Sequence, residues 1–116
     1  MPREWVAVGA VADLERDGRL IARVGGREIG VLASNGELRA LRNRCPHHGA
    51  PLCLGTVRER EAGRPGSYEL GGGRVLRCPW HGWEFDLETG ECLEDSAVRV
   101  ATYETRLLDG RVEVLA

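Results

Sequence analysis

The sequence predicts an all-β domain assembled from antiparallel hairpins. Short apolar or β-rich runs are separated by the pairs Asp17-Gly18, Gly25-Gly26, Asn35-Gly36 and Asp109-Gly110. Such pairs accept the positive φ angles that two-residue hairpin turns require. Between them apolar residues alternate with polar ones, the period of a strand with one buried face. An apolar stripe at helical spacing and normal helix length is missing throughout.

Taken in order, a strand starts at Trp5, and a helical turn at 10–16 follows it, carrying Asp13, Leu14 and Glu15. Residues 20–24, 28–33 and 38–42 read as successive strands, with Leu20, Ala22 and Val24 on one face. From 58 to 74 charge, proline and glycine replace the alternation, ending in Gly71-Gly72-Gly73. That composition marks an exposed surface insertion, with Tyr68-Glu69-Leu70 as a short strand inside it. A terminal hairpin pairs 103–108 with 111–115, with Val112 and Val114 pointing inward. No second domain is visible, so residues 1–116 are expected to form one.

A chain of 116 residues can bury one modest core. Its net charge of −2 excludes the broad basic field of a nucleic-acid binder. No apolar run approaches the ~18 residues that span a bilayer, so no membrane association is expected. The N-terminal residues lack the apolar centre of a signal peptide, which makes the cytoplasm the expected compartment. In a reducing compartment the four cysteines, Cys45, Cys53, Cys78 and Cys92, read as metal-binding before disulfide-forming.

Two of the cysteines stand at ligand spacing from histidines, in Cys45-Pro46-His47 and Cys78-Pro79-Trp80-His81. Gly49 and Gly82 follow, allowing the backbone to curl round a metal centre, and Pro46 and Pro79 stiffen each loop in advance. His47 and Cys78 are separated by 30 residues, so two distant loops must converge. By residue type alone, two cysteines and two histidines also suit a tetrahedral structural zinc. Cys53 and Cys92 lack a partner at ligand spacing and read as free thiols. His48 reads as a solvent-facing neighbour.

The two loops, Cys45-Pro46-His47-His48-Gly49-Ala50-Pro51-Leu52 and Cys78-Pro79-Trp80-His81-Gly82-Trp83-Glu84-Phe85-Asp86, resemble the cluster-binding loops of the Rieske family. The continuation to Gly90 matches as well. The resemblance implies a Rieske-like antiparallel β-sandwich with both loops, about 45–54 and 78–86, at one tip. It also implies one Rieske-type [2Fe–2S] cluster, with Cys45 and Cys78 on one iron and His47 and His81 on the other. The high-potential relatives carry an additional cysteine in each loop, joined by a disulfide, where this chain has Ala50 and Trp80. They also carry Ser and Tyr hydroxyls at the positions of Trp83 and Phe85. Without those hydrogen bonds to sulfur the potential is expected near the low end of the Rieske range, roughly −150 mV.

A ring-hydroxylating oxygenase needs a second iron held by two histidines and a carboxylate. With His47 and His81 committed, only His48 is left. The resemblance therefore implies an electron carrier without a catalytic site of its own, passing electrons from a flavin-containing reductase to a terminal oxygenase. The alternative is the small subunit of an assimilatory nitrite reductase, with the large subunit as partner; a zinc module is the remote one. An apolar tip of Pro46, His48, Pro51, Leu52 and Trp80 is expected to meet the partners. Glu84, Asp86, Glu88, Glu91, Glu94 and Asp95 form either a solvated turn-rich face or an acidic steering rim.

Overall fold

The structure is a computed structural model and describes residues 3–34, 36–46, 49–59, 74–80, 82–95 and 97–116. Among these residues the chain forms three antiparallel sheets. The first joins β1 (Trp5–Ala10), β10 (Arg111–Leu115) and β9 (Thr105–Leu108) in the order β1-β10-β9. The second runs β2 (Arg19–Val24), β3 (Arg27–Ser34), β4 (Glu37–Arg42) and β8 (Thr102–Tyr103). The third is β5 (Thr56–Glu59), β6 (Arg74–Arg77) and β7 (Glu84–Asp86). The helical turn expected at 10–16 is α1 (Val11–Asp17), which buries Leu14.

The second sheet lies between the other two and is buried on both faces. Along β3, Ile29 and Val31 pack with Leu14, Ala40, Val112 and Val114 in a core shared with the first sheet. Leu32 faces the other way, with Leu41 of β4, into a core shared with Leu76 and Phe85 of the third. The register explains the division: Val31 pairs with Ala40, and Gly30 with Leu41, so successive pairs point to opposite sides. A strand covered on both faces reads as a continuous apolar run, which is the form of Ile29-Gly30-Val31-Leu32.

Two boundaries differ from the sequence expectation. The strand expected at 103–108 is split. Thr102 and Tyr103 pair with β4, whereas Thr105–Leu108 pairs with β10, so the chain changes sheets at Glu104. The insertion expected at 58–74 is narrower at both ends. Arg58 pairs with Val75 and Glu59 with Arg74 in a regular ladder, because Thr56–Glu59 has backbone partners on β6 that its charged composition hides. Residues 60–73, including Tyr68-Glu69-Leu70, lie outside the described residues, as does Asn35 of one expected turn.

Candidate metal centre

The third sheet is what brings the two distant cysteine loops together. After Cys45 the chain passes Ala50 into a short 3-10 helix, Leu52–Leu54, turns at Gly55 and enters β5. Thr56, the first residue of β5, pairs with Arg77, the last of β6 and the residue before Cys78. The loops are thus joined at their bases by a β-ladder. The approach there is so close that a Cβ on Gly55 would stand 1.9 Å from the Arg77 carbonyl oxygen. Only glycine fits.

Each loop closes with the same two backbone hydrogen bonds. The Cys45 N–H donates to Ala50 O at 2.8 Å, and the Gly49 N–H to Cys45 O at 2.7 Å. In the second loop the Cys78 N–H donates to Trp83 O at 2.7 Å, and the Gly82 N–H to Cys78 O at 3.0 Å. Gly49 has φ of 76° and Gly82 of 71°, a left-handed backbone that side chains rarely adopt. Cys45 and Cys78 are both 1% exposed and share one core cluster with Ala50, Leu52, Cys53, Leu76, Phe85, Leu87 and Cys92. Two thiols delivered by matching loops into one apolar core suit a group that takes cysteine thiolates on its inner side. The residues present fit a [2Fe–2S] cluster in that respect. His47, His48 and His81 lie outside the described residues.

The paired geometries expose a repeat in the sequence. The loops read Arg44-Cys45-Pro46-His47-His48-Gly49 and Arg77-Cys78-Pro79-Trp80-His81-Gly82, so Arg-Cys-Pro-x-His-Gly occurs twice. In both, the arginine folds over the glycine five residues on. A Cβ on Gly49 would lie 3.5 Å from Arg44 Nη2, and one on Gly82 2.9 Å from Arg77 Nη2. Aligning the two loops on their cysteines would have revealed it.

Cys53 and Cys92 are free thiols, both buried. Burial pushes the Cys53 thiol up to about 12, and its Sγ lies against the Leu41 carbonyl at 3.6 Å. Burial also raises Cys92, whose thiol donates to Glu94 Oε2 at 3.4 Å. Trp83 packs against the core, whereas Trp80 is 59% exposed. Leu52 does not belong to the surface tip: the 3-10 helix turns it fully inward and presents Leu54 instead, 55% exposed. Among the described residues of the two loops and the 3-10 helix, Pro46, Leu54, Pro79 and Trp80 are exposed.

The acidic stretch builds turns and ion pairs rather than a bare rim. Glu84 takes a two-pronged ion pair from Arg58, and that hydrogen bonding holds its carboxyl below the usual carboxylate range. Asp86 accepts the N–H groups of Glu88 and Thr89, and Asp95 that of Ala97. Glu94 accepts the Glu84 N–H, and Glu91 lies 3.8 Å from Arg99.

The Rieske [2Fe–2S] domain model matches residues 4–104. The chain belongs to the Rieske family. It is 40% identical over 89 residues to human apoptosis-inducing factor 3, covering 77% of this chain and 12% of that protein. It is 30% identical to the oxygenase subunit of 3-chlorobenzoate-3,4-dioxygenase from Comamonas testosteroni, covering 98% of this chain and 26% of that one. The chain thus spans a small part of either relative. Among solved structures it resembles a Mycobacterium tuberculosis protein assigned as the small subunit of an NADH-dependent nitrite reductase. That likeness has a TM-score of 0.81 at 24% identity, over 98% of this chain and 96% of the other. The Rieske domain is a carrier of single electrons on one [2Fe–2S] cluster. No helix among the described residues is long and apolar enough to cross a membrane.

Proposed function

We propose that this Rieske carrier holds its cluster with Cys45, His47, Cys78 and His81 and passes electrons from a flavin-containing reductase to a terminal oxygenase. The observation that carries the reading is the pair of matching loops, hydrogen-bonded alike and joined at their bases, that bury Cys45 and Cys78 in one core. The bound cluster takes up and releases one electron. The rest is the work of the chain: Cys45 and Cys78 would hold one iron and His47 and His81 the other, and the backbone hydrogen bonds that close each loop would limit rearrangement on electron uptake. Leu54, Trp80, Pro46 and Pro79 offer an apolar tip suited to brief contact with a redox partner.

The relationship to an oxygenase subunit over nearly the whole chain supports the oxygenase as terminal acceptor. All three histidines of these 116 residues fall in the two loops, so a mononuclear iron would have to be held outside them. The nitrite reductase reading rests on likeness of fold. Stopped-flow mixing separates the two. The reading predicts fast reduction by an oxygenase-type flavin reductase, reoxidation by the oxygenase, and slowing of both by Leu54→Glu, which a shift in potential alone, speeding one step as it slows the other, would not give. Electron delivery only to a nitrite reductase large subunit would replace the oxygenase reading. Full rates in Leu54→Glu would move the contact elsewhere.

A further inference from the structure

We propose that Arg44 and Arg77 are a matched pair of positioning residues that set the reduction potential, each holding its positive charge against the glycine that closes a cluster loop. The inference rests on the cluster assignment above and adds residues that bear no ligand atom.

The geometry is the same twice over. Each arginine immediately precedes the buried cysteine, and its guanidinium lies over the left-handed glycine that donates back to that cysteine's carbonyl. Arg77 is the tighter of the two, with Nη2 and Nε at 2.9 and 3.0 Å from a Cβ position on Gly82; Arg44 has Nη2 and Cζ at 3.5 and 3.6 Å from that on Gly49. At Gly82 a Cβ would push the guanidinium aside, whereas at Gly49 it would only touch it at ordinary contact distance. Both glycines serve the left-handed turn, and Gly82 also leaves room for a close-seated cation. Gly82 follows His81 in sequence and Gly49 follows His48, so both guanidiniums lie against the loops themselves, although both side chains are exposed to solvent.

The surrounding charges weaken this effect without cancelling it. Glu84, directly across the ladder from Arg77, is the acid best placed to neutralise it. Both its oxygens are hydrogen-bonded by Arg58, and its charge also acts on Arg77, so Glu84 offsets part of the Arg77 charge. Reduction adds one negative charge to the cluster site, and a fixed cation nearby favours the reduced form. In a chain with Trp83 and Phe85 where hydroxyl donors would otherwise raise the potential, two such cations shift it upward by a different route.

The test is the potential of the holoprotein, read by the visible spectrum against redox dyes, for Arg44→Gln, Arg77→Gln, the double variant and the corresponding lysine variants. Iron content of each confirms that the cluster is present; a wild-type chain without iron would sink the cluster assignment, not this inference. Each glutamine variant is expected to disfavour reduction about threefold, or about 28 mV at about 59 mV per tenfold for one electron. The double variant should shift further, and lysine should restore most of the loss. Unmoved potentials in iron-loaded glutamine variants would overturn the proposal, as would lysine variants that shift as far as glutamine. Should the glutamine variants lose iron, the wild-type potential between about 0.01 and 1 M salt decides. Screening two nearby cations lowers it. A flat or rising curve, as the net charge of −2 alone would give, refutes the pair's role.

Discussion

Cys53 shows how much a single buried side chain reveals about the division of labour among the cysteines. It lies fully buried against β3 and β4, and a Cβ on Gly30 would come within 2.4 Å of its Sγ. Its thiol is pushed up to about 12 by burial. The sign of the consequence is fixed: a thiol that ionises near about 8.5 when unfolded, but far higher when folded, favours the unfolded chain as pH rises. Stability should therefore be full below pH ~8.5 and fall above it, by up to about 1.4 kcal/mol per pH unit. Thermal unfolding at pH 7 and pH 10 checks this, and Cys53→Ala should flatten the alkaline decline. Native Cys53 should also resist alkylation at pH 8. The sequence was informative here because Cys53 stands apart from any ligand spacing. It was uninformative about Leu52 and Leu54, since only the 3-10 helix decides which of two leucines two positions apart faces inward.

The third sheet is where local order becomes site geometry. Its ladder joins the bases of two loops that the sequence separates by 30 residues between His47 and Cys78, and Gly55 is the residue that lets them meet. Gly55→Ala would drive a methyl into the Arg77 carbonyl; we expect it to cost roughly 2–4 kcal/mol by overpacking and backbone displacement and to release iron. Wild-type iron retention would show that the bases tolerate separation. The Arg58–Glu84 ion pair clamps the same sheet across its outer strands. Glu84's carboxyl is held below its ordinary value, so its stabilisation is present above about pH 4.3 and lost as pH falls through the folded value. With Arg58 partly in solvent the pair is worth only about 1 kcal/mol, and Glu84→Gln should flatten the acid limb of a stability curve by that amount. Hairpins and their turns were legible from glycine pairs and alternation. The extent of β5 was not, because Arg58 and Glu59 look like loop and act as strand through partners supplied by β6.

At the scale of the whole molecule, a central sheet buried on both faces separates two cores, and only one of them contains the cysteines of the loops. The other, built by the first sheet and α1, supports that sheet from behind. This arrangement ties cluster retention to the third sheet and leaves the terminal hairpin as scaffold. The all-β class and the two loops were readable from residue types at fixed spacing, because metal ligation and hairpin turns both demand particular side chains. The split at Glu104 and the double burial of β3 depend on which sheet lies opposite, and alternation within one strand carries no record of that. The central claim is that one [2Fe–2S] cluster, held by Cys45, His47, Cys78 and His81, exchanges single electrons. Its most direct test is metal and sulfide content combined with a reductive titration of the purified chain and of Cys45→Ser, His81→Ala and His48→Ala. The account predicts two irons, two labile sulfides and one reversible electron per chain in the wild type and in His48→Ala, and a colourless product for the other two. A colourless wild type binding one zinc, or retention of both irons in His81→Ala, would contradict it.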